Sequence, residues 1–297
     1  MSILKTAKSY TRTSLNASLQ VYRTMTNRMR VLPDFLIIGG QRCGTSSLYY
    51  YLIEHPGISS AFTKEPHYFD EHFAKGTGWY RTQFSTTLHK EYVKKVLRHD
   101  FLTGEGTPYY ILHPHAPRRA SEIVPHAKLI ALLRNPVDRA YSQYWIEKAA
   151  NFETLSFEDA INCEQERLAG ELERMLEEEN YYSYNYRHYS YLKRGIYVDQ
   201  LENWMSYFPR EQLLILRSED LYNDPQAVLK QTLEFLAAKS GELNKEYQNY
   251  RRPSKKGYRK KEVPPKMDPE IRKRLVEYFE PHNARLYNLL GVDFGWD

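Results

Sequence analysis

Apolar positions along this chain follow two different rhythms. Residues 34–39 (DFLIIG), 127–134 (AKLIALLR) and 212–217 (QLLILR) are short, nearly unbroken apolar runs, and each predicts a buried strand. Elsewhere apolar residues recur at helical spacing, over 45–54, 137–148, 227–238 and 269–290. His55-Pro56 stops the first of these helices, and Asn135-Pro136 separates the second strand from its helix. Strand, glycine-rich turn and helix make the start of a βαβ unit. The alternation predicts an α/β protein, a three-layer fold with a central, mainly parallel sheet flanked by helices. There is no internal repeat and no clean boundary. One domain is expected over 31–297, behind a basic segment 1–30, with 240–268, rich in Lys, Arg, Pro and Gly, forming a surface loop.

Composition adds little to this picture until charge is located. The 297 residues are 41% hydrophobic and 27% charged, ordinary for a soluble protein, and no apolar run approaches the roughly 18 residues of a membrane span. Cys43 and Cys163 are too few for a disulfide framework or a zinc site, so a reducing, cytoplasmic setting is expected. The net charge of +5 is uneven. Lys5, Lys8, Arg12, Arg23, Arg28 and Arg30 precede the first acid, and RRPSKKGYRKK (251–261) carries seven basic side chains and no acid. Basic ends suggest anionic partners, although a solvated surface explains a charge run equally well. The N-terminus lacks an apolar signal core; it reads as a transit peptide, a basic helix on a membrane surface, or a segment lying on the domain. No nucleic-acid motif accompanies the charge, which argues against a nucleic-acid partner.

Candidate chemistry begins at residues 33–48, PDFLIIGGQRCGTSSL. Gly39, four residues, Gly44 and then Thr45-Ser46 match the phosphate-loop spacing G-x-x-x-x-G-K-[ST], except that Thr45 stands in the lysine position. Such glycines let successive N–H groups turn toward an anion, and the following helix adds its positive dipole end. Thr45, Ser46 and Ser47 add hydroxyls, and Arg42 adds a guanidinium. A nucleoside triphosphatase also needs a strand-end acid for Mg²⁺. Here the strand AKLIALLR ends in Arg134, which repels a metal and attracts a second anionic group. Because ligands of open parallel sheets sit beyond the carboxyl ends of the strands, 39–45 and 134–142 are expected to converge on one ligand.

These segments resemble the sulfotransferases that use 3′-phosphoadenosine 5′-phosphosulfate (PAPS). GGQRCGTSSL looks like their phosphosulfate loop, and LLRNPVDRAYSQY like their 3′-phosphate motif, with Arg134 at the strand end and Ser142 on the next helix. KEPHYFD (64–70) with GTGWYRTQF is similar to the heparan-sulfate branch, whose catalytic glutamate falls on Glu65. RGIYVDQLENWMSYFPREQLLIL (194–216) is similar to another shared block, and SKKGYRKK to the loop that closes over PAPS. The resemblance covers roughly 33–297. It implies PAPS as co-substrate, bound by Arg42, Cys43, Gly44, Thr45, Ser46, Arg134, Ser142, Lys255, Lys256 and Gly257, and a carbohydrate or other hydroxyl-bearing acceptor. It implies Glu65 as base, with His67 orienting it or serving as a fallback base, and Arg42 stabilising the leaving phosphate; no metal is expected. Three positions depart from the pattern: Arg42 replaces a common lysine, Gly106 in Glu105-Gly106-Thr107 replaces the branch's Glu-Lys-[ST] lysine, and Tyr258 replaces a common arginine. The loss at Gly106 weighs against heparan sulfate as acceptor.

Two features stay open at this level. The run 181–197 (YYSYNYRHYSYLKRGIY) holds seven tyrosines, suited to stacking on sugars or to packing, with Arg187, Lys193 and Arg194 placed to meet an anionic glycan. His113 and His115 lack a third ligand at useful spacing and read as a solvated loop. The competing functions are a phosphate-loop nucleotide kinase, a non-catalytic nucleotide- or glycan-binding module on the same fold, and a nucleic-acid binder.

Overall fold

The computed structural model describes residues 18–238 and 264–296. Five strands, β1 (Phe35–Gly39), β2 (Ile58–Ser60), β3 (Leu102–Gly106), β4 (Lys128–Leu133) and β5 (Leu213–Arg217), form one sheet in the order β2-β3-β1-β4-β5. All four pairings are parallel, with Leu36 opposite Glu105 on one side of β1 and Leu129 on the other. The three apolar runs of the sequence became β1, β4 and β5.

Strand periodicity divides the core. Leu36, Ile38, Leu129 and Ala131 face one apolar cluster, while Phe35, Ile37, Ile130 and Leu132 face the other. The helices Thr45–Leu52 and Pro225–Leu236 cover the second face through Leu48, Leu52, Val228 and Leu233. Pro136–Ala149, Tyr197–Met205 and Pro269–Leu290 cover the first through Val137, Tyr144, Leu201, Trp204 and Phe279. The result is the three-layer arrangement expected of near-continuous apolar parallel strands.

The strand order positions the site. From β1 the chain moves outward to β2 and β3 on one side; from β4 it moves to β5 on the other. The crevice between the carboxyl ends of β1 and β4 is therefore a topological switch point, where such sheets bind ligands. Near the start of the described chain, the basic segment lies on the domain. Arg23 donates to the carbonyls of Thr82 and Phe84, and Arg30 to Phe84 at 2.7 Å.

Candidate active site

The glycine loop after β1 opens directly into a helix. Gly44 takes φ of 92°, a left-handed conformation that glycine adopts without strain, and from there the chain turns into Thr45–Leu52. No side chain caps this helix. Its first N–H groups and its dipole end are thus offered to an anion. By contrast, Pro136–Ala149 is capped by Asn135, whose Oδ1 accepts from the N–H groups of Val137 and Asp138 at 3.0 and 3.3 Å. Within the loop Thr45 is buried and Ser46 exposed. Cys43 turns its thiol inward, 3.8 Å from Tyr197 Oη, and burial pushes that thiol up to about 11. Its N–H is spent on the Gly40 carbonyl at 3.2 Å, so Cys43 shapes the loop from within.

Arg42, Arg134 and Ser142 meet at the switch point. Arg42 Nε donates to Ser142 Oγ at 3.0 Å, and Arg134 Nη1 to the Arg42 carbonyl at 3.4 Å. Tyr197 Oη donates to the Arg134 carbonyl at 2.9 Å and locks the two loops together. Among the described residues neither Arg42 nor Arg134 forms an ion pair with an acid. Burial lowers the Arg42 pKa, and the like charges of Arg134 and Arg139 press it in the same direction. Glu219, just past β5, accepts from Asn135 N–H at 3.1 Å but pairs with neither arginine, and like charges left without an acid partner are relieved by a bound anion.

Glu65 lies in a second cluster. It is 41% exposed and paired with Lys64, while its other oxygen is 3.9 Å from His67 Nε2. His67 Nδ1 is 2.7 Å from Asp70 Oδ2, and Arg187 Nη2 approaches His67 Nε2 at 3.4 Å. Burial works to lower the His67 pKa, but the hydrogen bond and charge of Asp70 outweigh it, and the net shift is upward. Asp70, Glu71 and His67 bring ligand atoms within 4.8 Å of one another. That space already has its cation, since Arg187 Nη1 lies 2.7 Å from Glu71 and 3.6 Å from Asp70.

Two residues connect the clusters. Arg194 donates to Gln41 in the glycine loop, to the Arg187 carbonyl at 2.8 Å and to Ser190 Oγ at 3.0 Å. Arg187 and Arg194 also lie over the ring of Tyr109, at 4.5 and 5.2 Å from its centroid. Loop, Arg194, Arg187, His67 and Glu65 thus form one chain of contacts. Sequence reasoning missed Lys64, Gln41 and Tyr109, and it gave Arg194 the wrong place. Arg194 is 1% exposed and its pKa is pushed down to about 10 by burial, so it braces the loop from inside and cannot meet a glycan. The tyrosine run divides as well. Tyr186, Tyr191 and Tyr197 are core, while Tyr182 and Tyr184 are exposed. His113 is also buried, not solvated, with burial driving its pKa down to about 3, and His115 Nε2 contacts the Met175 carbonyl at 2.7 Å. Lys255, Lys256 and Gly257 lie outside the described residues.

A parallel sheet with a glycine loop and an arginine at its switch point is a P-loop-type architecture. Within that class, the chain belongs to the sulfotransferase domain family, whose model matches residues 32–284. It is 32% identical to the human heparan sulfate glucosamine 3-O-sulfotransferases 3B1 and 3A1, over 90% of this chain and 65% and 63% of theirs. The chain therefore spans somewhat less than two thirds of those relatives. The crystal structure of a sulfotransferase from Alicyclobacillus acidocaldarius is also similar, with 28% identity, a TM-score of 0.65, and coverage of 90% of this chain and 99% of that one.

Proposed function

We propose that the protein transfers a sulfuryl group from PAPS to a hydroxyl of a carbohydrate or glycoconjugate acceptor. The observation that carries this reading is the meeting of Arg42, Arg134 and Ser142, with no acid among them, beside an uncapped helix start. The uncapped N–H groups, Thr45, Ser46 and Arg42 would hold the phosphosulfate, and Arg134 with Ser142 the 3′-phosphate. Lys255, Lys256 and Gly257 are assigned to closure over the nucleotide on resemblance alone. A nucleotide kinase would need a metal-binding acid where Arg134 stands.

In the transfer, the acceptor oxygen bonds to sulfur, the sulfur–oxygen bond to the phosphate breaks, and the acceptor proton passes to Glu65. Glu65 suits the role because its carboxylate is half exposed and held between Lys64 and His67. Glu105, by contrast, is sealed in the core and occupied by the hydroxyls of Thr107 and Tyr80. His67 is held at Nδ1 by Asp70 and has both Glu65 and Arg187 beside Nε2, which favours a positioning role over that of base. Negative charge developing on the leaving phosphate falls to Arg42. The names of the relatives support a carbohydrate acceptor. For location we infer a cytoplasmic enzyme, in keeping with two free cysteines. No helix among the described residues is long and apolar enough to cross a membrane.

The test is transfer of labelled sulfate from PAPS to a panel of glycans. Wild type should label at least one, and Glu65→Gln should lose roughly 10²–10⁴-fold in kcat while still binding the 3′,5′-bisphosphate product. Undiminished turnover by Glu65→Gln would remove it as the base. Binding of the bisphosphate without transfer to any acceptor would favour the non-catalytic module.

A further inference from the structure

The edge of the sheet opposite the glycine loop is built from two stretches that lead into strands. Residues 18–34 run into β1 and residues 87–101 into β3, so both lie at the amino ends of their strands. They are joined through the backbone. Val31 N–H donates to the Ser85 carbonyl at 3.1 Å, and Arg30 bridges Thr86 in antiparallel fashion. Thr103 N–H donates to Asp34 Oδ2 at 2.8 Å, and Lys90 and Lys94 stand close enough for their charge to act on Asp34.

The helix Thr87–Lys95 presents its apolar side to solvent. Val93 is the residue it buries. Leu88, Tyr92 and Val96 fall on one face at i, i+4 and i+8, and they are 69%, 51% and 61% exposed. Leu97 follows them, and Val21 and Met25 continue the same character on the first stretch. Together the two stretches supply nine of the nineteen large apolar side chains exposed among the described residues. Single exposed apolar residues are normal on any surface, but nearly half of them gathered on two joined segments mark an interaction surface. The charges beside the stripe are mainly basic. Lys90, Lys94, Lys95 and Arg98 outnumber Glu91 and Asp100.

An exposed apolar stripe flanked by lysines matches the chemistry of an anionic bilayer surface: apolar side chains enter the acyl boundary and ammonium groups meet headgroup phosphates. We propose that this face, the helix Thr87–Lys95 with residues 96–98 and the exposed side of 19–29, docks on anionic lipid. Docking there leaves the carboxyl ends of the strands, and with them the glycine loop, facing away from the bilayer. The inference is independent of the sulfuryl-transfer reading.

The test uses the full chain and sedimentation with vesicles of phosphatidylcholine alone or with one third phosphatidylglycerol, at low and high salt. Wild type should bind the anionic vesicles, more weakly at high salt, and leave the neutral ones. The variants L88S/Y92S/V96S and K94E/K95E should each weaken partition by about tenfold or more, with unchanged melting and bisphosphate binding, whereas K5E/K8E/R12E should retain most of it. Absence of binding to anionic vesicles overturns the proposal, as does binding lost only in K5E/K8E/R12E. A wild-type dimer in light scattering that L88S/Y92S/V96S converts to monomer would also overturn it, by assigning the face to a second copy.

Discussion

On the proposed reading Arg134 and Arg42 divide the work of one anion site, and single substitutions would separate their shares. Arg134 donates to the carbonyl of Arg42, whose side chain donates to Ser142, so on the proposed assignment Arg134→Ala should weaken the 3′,5′-bisphosphate by about tenfold to a hundredfold, the worth of a charge-assisted hydrogen bond, and AMP much less. Calorimetric titration of both ligands checks this, and equal losses would break the assignment of Arg134 to the 3′-phosphate. A different residue reports on pH. Burial pushes the Glu105 carboxyl up to about 7 from 4.5. An acid raised by folding holds its proton more tightly when folded, so its contribution is complete below about 4.5 and is lost as pH rises through about 7. Glu105→Gln, neutral at every pH, should therefore gain on wild type by the order of 3 kcal/mol between acid and mildly alkaline solution. Melting curves across that range measure it, and a pH-independent difference would refute it. Arg42, Arg134 and Ser142 were legible in the sequence because a glycine loop and a strand-end arginine announce their chemistry locally. Arg187 and Arg194 were visible as charges, but their contacts to His67 and Gln41 cross 120 and 153 residues, and only packing shows which way each side chain turns.

At the scale of elements, legibility followed burial. β1, β4 and β5 read as apolar runs because helices cover the sheet on both faces. β2 and β3 were not predicted. β2 is a three-residue edge strand, and β3 (LTGEG) carries glycine and glutamate, both poor strand signals. The structure explains that composition. A Cβ on Gly104 would fall 2.5 Å from the ring of Phe35 on the neighbouring strand, so the close approach requires glycine. Gly104→Ala should cost about 1–3 kcal/mol as an overpacked core, read by chemical denaturation; a neutral substitution would show that Phe35 can move aside. The tyrosine run, left open between sugar stacking and packing, is divided by the structure. Tyr186, Tyr191 and Tyr197 are packed against the first face of the sheet, while Tyr182 and Tyr184 are exposed.

Across the whole molecule, Arg42, Arg134 and Ser142 meet at the switch point, and the contacts through Arg194, Arg187 and His67 tie them to Glu65. The opposite edge carries the apolar and basic face. On the two proposals, this polarity would separate a surface for lipid from a mouth for nucleotide and acceptor. The glycine loop, lacking its lysine and with Arg134 where β4 would carry a metal-binding acid, is proposed to serve a ligand with a 3′-phosphate. The most direct measurement is calorimetric titration of the protein with the 3′,5′-bisphosphate, AMP and ATP, with and without Mg²⁺. The bisphosphate should bind at least about tenfold more tightly than AMP, with no dependence on the metal. Equal affinity for AMP, or preferred binding of ATP with Mg²⁺, would contradict the account.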